Sequence, residues 1–334
     1  MRVALTYNEK RAPSAGPDAA DAEFDSCDAI AAIAQLVAGL GHQVAPIDVS
    51  CSIPRLVDEL ARAAPDVVLN FAEGERGAFR EAFYPALFEQ LGLAHTGSSA
   101  SALAVCLDKA HAKRVVAGAR VRVPRGQLVR ALDEPALAAP WDLAHVPLPA
   151  IVKPNFEGSS KGITAASIAR DRSQLADIVA GALARYPDGV LVEELVDGID
   201  IGVGWFAGIG LLPPIGYRYD GAIYDYALKH VTPERVQLEI PPPLPDAVAR
   251  RLDLVAARAF TALGVTGYGR VDLRLTPEGD IVFLEMNPLP SLTLAAGHDE
   301  LYVAASRLGH APRVLLASVL DAALPRGRPL RACA

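Results

Sequence analysis

The sequence predicts an α/β protein: a parallel sheet with helices on its faces, followed by a mixed strand and helix region. Three observations carry that expectation. Through the first hundred residues, short apolar runs alternate with helix-period patterns, and such alternation builds parallel sheets. Beyond a proline-containing linker at 124–149, the order changes to strand, glycine turn, strand and helix. Late in the chain, two runs of alternating apolar and polar residues flank Pro277-Glu278-Gly279-Asp280 and read as a β-hairpin.

In chain order, 2–7, 44–47 and 66–71 read as strands, and 27–40 and 54–64 as helices, the first opening near Ser26 and stopping at Gly41. Sheets of this kind bind ligands beyond the carboxyl ends of their strands, here 6–25 and 70–77. In the second region, 150–153 and 163–168 read as strands, 173–186 as a helix, and 190–195 and 199–207 as further strands. The clearest amphipathic helix is 246–263. Val248, Leu252, Val255, Ala259, Phe260 and Leu263 share one face, with Asp246 as the N-cap and Gly264 as the stop.

At 334 residues the chain is long enough for more than one core. Its 51% hydrophobic and 21% charged residues are those of a globular protein. A net charge of -7 argues against a nucleic-acid partner, because phosphate contacts need a basic face. Cys27, Cys51, Cys106 and Cys333 form no CxxC pair, which removes a zinc ribbon and a dithiol redox site. The longest uncharged stretch, 201–217, is broken by glycines and Pro213-Pro214 and reads as strands and a turn, not a membrane helix. The run Val3-Ala4-Leu5 is too short for a signal-peptide core. A cytoplasmic location with no membrane partner is therefore expected.

The hairpin carries the most chemistry. Val271, Leu273 and Leu275 share one face of its first strand, and Arg270 and Asp272 share the other; Glu285 and Asn287 share a face of the second. If Thr276 pairs with Ile281, Asp272 lies opposite Glu285 and Arg270 opposite Asn287. Cross-strand neighbours lie roughly 4.5–5.5 Å apart at Cβ, and two carboxylates that close repel unless a cation sits between them. Asp, Glu and Asn oxygens are the ligands that hard Mg²⁺ takes, with water and phosphate completing the shell. A solvated face of alternating charge is the alternative reading.

Other segments add to this. Lys153 ends the strand Ile151-Val152-Lys153-Pro154, and Glu157-Gly158-Ser159-Ser160 forms a turn whose amides and hydroxyls can wrap phosphates, although it is not a Walker A loop. Lys109 begins a helical run. Val192-Glu193-Glu194-Leu195-Val196 is a strand carrying two acids, with Asp200 close behind.

In this order, the pieces resemble the ATP-grasp superfamily, and within it the D-alanine–D-alanine ligases. The matching stretches are His95-Thr96-Gly97-Ser98, Leu107-Asp108-Lys109, Ile151-Val152-Lys153-Pro154, Glu157-Gly158-Ser159-Ser160, Tyr224-Asp225-Tyr226 with Lys229, Gly269-Arg270-Val271-Asp272 and Leu284-Glu285-Met286-Asn287. The resemblance implies an ATP-grasp architecture: an N-terminal parallel-sheet domain over 1–100, then two α+β subdomains over 101–188 and 189–325 that clamp the nucleotide. It implies that Lys109 and Lys153 contact ATP phosphates, that Glu193, Glu194, Leu195 and Val196 line the adenine pocket, and that Asp200 holds the ribose. Ser159 and Ser160 would sit over the phosphates, Lys229 near the γ-phosphate, and Asp272, Glu285 and Asn287 on two Mg²⁺ ions, with Mn²⁺ as a substitute. Arg270 would steady the tetrahedral intermediate, and Ser291 would lie near the acceptor's carboxylate.

The implied activity is ATP-dependent joining of a carboxylate to an amine through an acyl phosphate, with small amino-acid or amine substrates and, by analogy, a homodimer. The chain departs from the ligases at the amino-acid pocket. No residue cleanly matches their early glutamate, for which Glu9 and Glu23 are candidates. Asn70-Phe71-Ala72-Glu73-Gly74-Glu75 replaces a His-Gly and Gly-Glu-Asp stretch, and His230 stands where a tyrosine is expected. Glu73 is therefore a candidate for holding a substrate ammonium and His230 for accepting a proton. These departures keep open a ligase for other amino acids or an amine metabolite, a kinase that stops at phosphoryl transfer, and a nucleotide-binding protein without catalysis.

Overall fold

The computed structural model describes residues 1–10, 16, 21–130, 143–294 and 299–324. Three sheets organise them. The first is parallel, in the order β2-β1-β3, from β1 (Arg2–Tyr7), β2 (Gln43–Asp48) and β3 (Val67–Phe71). Between them run α1 (Cys27–Gly39) and α2 (Ile53–Ala63). Ser26 opens α1 as expected, its hydroxyl accepting from the Ala29 amide, and Gly41 leaves it at φ 87°. Two helices that the sequence reading did not single out follow, α3 (Arg80–Gln90) and α4 (Ala100–Leu107), and then α5 (Lys109–Gly118), the helical run expected from Lys109. Asp108 ends α4 and caps α5 by accepting from the His111 amide, which places Lys109 at a helix's first position.

The second sheet is antiparallel, in the order β4-β7-β5-β6, from β4 (Gly126–Val129), β5 (Ala150–Pro154), β6 (Ile168–Ala169) and β7 (Val190–Glu194), with α6 (Arg172–Arg185) packed on it. Two expectations are corrected here. The proposed linker contains β4, which pairs along β7; 131–142 of that stretch lies outside the described residues. The strand expected at 163–168 is instead a 3₁₀ turn at Ala165–Ser167, with only Ile168–Ala169 in the sheet. Thr164 Oγ1 accepts from the Ala166 amide and Ser167 Oγ from the Thr164 amide. Such local bonds compete with a strand ladder.

The third sheet comprises β8 (Ile199–Phe206), β9 (Gly210–Leu211), β10 (Ile215–Arg218), β11 (Gln237–Glu239), β12 (Tyr268–Leu275) and β13 (Ile281–Asn287). Its order is β11-β10-β8-β12-β13, with β9 beside β8. The accompanying helices are α7 (Tyr226–His230), α8 (Asp246–Leu263), α9 (Glu300–Ser306) and α10 (Pro312–Ala323). Pro245, not Asp246, takes the cap position of α8, and Gly264 ends it at φ 66°. Leu252, Ala256, Ala259, Phe260 and Leu263 bury one face of α8 against Val271, Leu273, Ile281, Phe283 and Met286. Val248 and Val255 pack at the margin of that cluster. Each fully buried large side chain there contributes roughly 1.5–3 kcal/mol. α4 and α5 join the same cluster through Cys106, Ala112 and Val116, while α10 returns to cover Val3, Leu5 and Ile33 of the first sheet and α1. Among the described residues, no helix is long and apolar enough to cross a membrane.

The hairpin holds a register shift that the sequence reading did not contain. Leu275, not Thr276, pairs with Ile281, and the Thr276 amide closes the turn on the Asp280 carbonyl. Ile281 and Phe283 face the core opposite Leu275 and Leu273. Strict alternation from there would carry Glu285 and Asn287 into the same apolar face. A β-bulge between Asp272 and Leu273 leaves Leu284 without an opposite partner and reverses the sides. Beyond it, Asp272 lies opposite Glu285 and Arg270 opposite Asn287, as expected, and Met286 returns to the core.

Candidate active site

Two adjoining cavities meet at this hairpin. The larger, about 470 Å³, takes Lys153 from β5, Glu193 and Glu194 from β7, Leu195 and Val196 from the crossing to β8, Asp200 from β8, and Ser160 from the glycine-serine turn. Asp272 completes that wall. The smaller, about 260 Å³, is lined by Glu23, Glu73, Glu81, Ser159, His230, Asn287 and Ser291. Lys109, Lys229, Arg270, Glu285 and Glu300 border both. Apart from Glu9, the site residues expected from the sequence thus lie on one wall or the other.

In the larger cavity, the acids of β7 diverge. Glu193 points inward, 2% exposed, with Lys153 Nζ at 2.5 Å and Lys113 Nζ at 3.4 Å. Burial pushes its carboxyl up, but the two lysines outweigh that and hold it below the ordinary carboxylate value. Lys113 is pushed down to about 8 by burial, against the pull of Glu193. Glu194 turns the other way and accepts from the amide and Nε of Arg125. Asp200 faces the cavity with both oxygens engaged: Oδ1 accepts from Arg274 Nη1 at 2.7 Å and Oδ2 from the Tyr219 hydroxyl. Sequence reasoning passed over Lys113 and Arg274. Lys113 had a signal, since it lies four residues beyond Lys109 and so on the same face of α5.

At the junction, Arg270 grips Asp272 with Nε at 2.7 Å and Nη2 at 2.9 Å, and reaches Glu300 with Nη1 at 2.9 Å. Lys109 Nζ lies 3.1 Å from Glu285 Oε2. Burial would raise the Glu285 carboxyl, but Lys109, Lys153 and Lys229 outweigh it and hold it at about 2. Lys229 is itself lowered, first by burial and then by Arg270. The hairpin therefore carries an acid pair, Asp272 and Glu285, with Arg270, Lys109, Lys153 and Lys229 around it. Its oxygens fit a hard divalent cation: Glu285 is ionised at any neutral pH, Asn287 Oδ1 spends one lone pair on the Leu289 amide, and Glu300 Oε2 is buried with no hydrogen-bond partner.

The glycine-serine turn crosses both cavities. Ser159 and Ser160 are left-handed, at φ 48° and 56°. The Ser159 carbonyl lies 3.1 Å from His230 Nε2, and Ser160 Oγ donates to the Tyr224 carbonyl. At the far end of the smaller cavity, oxygens of Glu23, Glu73 and Glu81 all lie within 4.8 Å of one another. Of the two glutamates considered for the early turn, Glu23 lines this cavity and Glu9 does not; Glu9 instead accepts from Cys27 Sγ. Ser291 Oγ is 3.0 Å from Thr293 Oγ1. Burial, then Glu81 and Glu23, raises Glu73 well above its ordinary value.

Glu81 is pushed up to about 7 by burial, against Arg80, and Asp25 to about 6 by burial, against Lys10. Both folded values exceed the unfolded ones, so between about pH 4 and 7 the folded chain binds more protons and stability falls as pH rises. Thermal melts should give a higher Tm at about pH 5.5 than at about pH 8, and Glu81→Gln should narrow that gap.

The model of the family described as "D-ala D-ala ligase C-terminus" matches residues 141–320. The chain belongs to the D-alanine–D-alanine ligase family. It is 34% identical over 265 residues to the D-alanine–D-alanine ligase of Anaeromyxobacter sp. (strain Fw109-5), covering 79% of this chain and 81% of that one. With the D-alanine–D-alanine ligase of Citrifermentans bemidjiense it shares 33% over 294 residues, 88% and 90% of the two chains. The fold matches the crystal structure of the Bacillus anthracis D-alanine–D-alanine ligase complexed with ATP at a TM-score of 0.73, with 19% identity and 97% of each chain covered. Like its family, this ligase is an ATP-dependent enzyme that forms C–N bonds, and its α/β architecture is that of the ATP-grasp fold.

Proposed function

We propose that this ligase uses ATP and Mg²⁺ to phosphorylate the carboxylate of one amino acid and then joins it to the amine of a second, with D-alanine, the substrate named for its relatives, as the first candidate for both. One observation carries the reading. Asp272, on the wall of the larger cavity, stands opposite Glu285, which borders both cavities, as does Arg270. A nucleotide in the larger cavity and an amino acid in the smaller one would meet there.

The division of labour follows from placement. Leu195 and Val196 offer an apolar wall and backbone groups to a base, and Asp200 an acceptor whose oxygens Arg274 and Tyr219 already orient. Lys109, Lys153 and Lys229 bring positive charge to the phosphate end, where the chemistry needs charge neutralisation more than proton transfer. Asp272, Glu285 and Asn287 would hold Mg²⁺, which neutralises phosphate charge and orients in-line attack. Arg270 reaches the same wall and would steady the oxyanion that forms when the amine adds to the acyl carbon. Glu73 or Glu23 would take the first substrate's ammonium, Ser291 the acceptor's carboxylate, and His230 a proton. We place the domain limits near 100 and 188.

Purified protein with ATP, Mg²⁺ and a panel of D- and L-amino acids tests this through phosphate release and product mass. D-alanine-dependent phosphate release with a dipeptide product supports the reading. A second reading, a ligase for other amino acids or amines, is favoured by the acids at the smaller cavity; it predicts turnover with members of the panel other than D-alanine. Phosphate transfer without any amide product overturns both.

A further inference from the structure

The acids at the far end of the smaller cavity converge on Arg80, and Arg80 also reaches the glycine-serine turn. Arg80 opens α3, and its side chain is 5% exposed. Its Nη2 lies 2.8 Å from Glu23 Oε2 and 3.8 Å from Glu157 Oε2. Its Nη1 lies 3.5 Å from Glu81 Oε1 and 3.8 Å from Glu73 Oε2, and donates to the Glu73 carbonyl at 3.1 Å. Glu23, Glu73 and Glu81 border the cavity, but Glu157 belongs to the turn.

The turn is anchored around Glu157. Its carboxylate pairs with Lys161 at 2.7 Å, and its carbonyl accepts from Lys109 Nζ. Gly158 lies so close to Glu23 that a Cβ there would collide with Glu23 Oε1. The next two residues are the left-handed serines, held from the opposite side by His230 and Tyr224. One face of the turn thus rests on Glu23 and Arg80, and the other on the segment that carries Lys229.

We infer that Arg80 is a positioning residue, which acts through Glu157 and Glu23 to hold the glycine-serine turn in place over the phosphate end of the larger cavity. The inference deepens the proposed function, since it assumes that the turn covers phosphates, but the contact itself does not depend on which amino acids react. Arg suits this role because its planar fork offers separate edges to carboxylates on different segments, whereas a lysine is a single point charge. The walls of the smaller cavity and the cover of the larger one become one charged assembly, so loosening the first displaces the second. Gly158 fits the same account: a Cβ there would push the Glu23 carboxylate out of its present place beside Arg80.

Hydrogen–deuterium exchange of the whole chain with ATP bound, together with steady-state phosphate release, tests this. Glu157→Gln removes one charge from a side chain 23% exposed and leaves Arg80 paired with the other acids. Amides at 156–162 are expected to exchange about threefold to fivefold faster in this variant, the effect of losing the partly exposed pairs of Glu157 with Arg80 and Lys161, while those of β13 stay unchanged. In the same variant, kcat should fall while the KM for ATP holds. Arg80→Lys should loosen the turn in the same way. If Arg80→Lys fails to fold, Glu157→Gln decides alone: unchanged exchange at 156–162 overturns the inference. Wild-type protein that releases no phosphate with any amino acid sinks the ligase reading instead, and leaves the exchange result standing.

Discussion

Turnover of the Glu285→Gln variant is expected to fall about a thousandfold, the upper end of what losing one preorganised electrostatic group costs. The substitution keeps the shape of the side chain and removes only its charge. That charge is fully developed, since Lys109, Lys153 and Lys229 hold the carboxyl at about 2 despite burial. In the neutral amide, Lys109 loses its 3.1 Å partner, and the divalent cation of the proposed function would lose a ligand opposite Asp272. Phosphate release at saturating ATP and amino acid, measured across a Mg²⁺ series, reads the effect. A thermal melt beside it separates loss of chemistry from loss of fold. Turnover within a few-fold of wild type would remove Glu285 from the metal site, and with it the observation on which the proposed function rests.

The hairpin shows how far the sequence reached and why it stopped. The spacing of Arg270 with Asp272, and of Glu285 with Asn287, places each pair on one face by the two-residue period alone. The bulge at Leu284 escaped that logic, because a period cannot show where a strand skips a step. It was inferable afterwards from a conflict. Ile281 and Phe283 demand the core, Glu285 cannot follow them there, and one residue between must go unpaired. Arg80 and Glu81 were illegible for a different reason. Two adjacent charges at the start of a helix look like a solvated end, and nothing local records that Glu23, from before α1, and Glu157, from the turn, close over them. Lys113 failed the same way, since its partner Glu193 is eighty residues distant in the chain. Chemistry carried by short spacing was readable; chemistry assembled by burial across segments was not.

Glu193→Gln is expected to lose about 3–5 kcal/mol of stability at neutral pH, the cost of removing one partner from a buried charge pair. Glu193 is 2% exposed and serves two lysines, Lys113 and Lys153, each with a side chain at most 10% exposed. With the carboxylate gone, each lysine faces burial beside a like charge. Lys113 already sits at about 8, below the ordinary lysine value, through burial. Its folded value lies below its unfolded one, so the unfolded chain binds more protons between those values and stability rises with pH across that window. Removing Glu193 lowers the folded value further and moves the onset of that rise below about pH 8. Denaturant unfolding at about pH 7 and 9 should therefore show the variant recovering part of its deficit at the higher pH, and Lys113→Met in the Glu193→Gln background should recover part of it at pH 7. A single variant within about 1 kcal/mol of wild type at pH 7 would mean that water reaches the lysines and that the group is not buried as described. Within the proposed function, Glu193 would then be the anion that lets Lys113 and Lys153 lie buried together at the wall of the nucleotide's cavity.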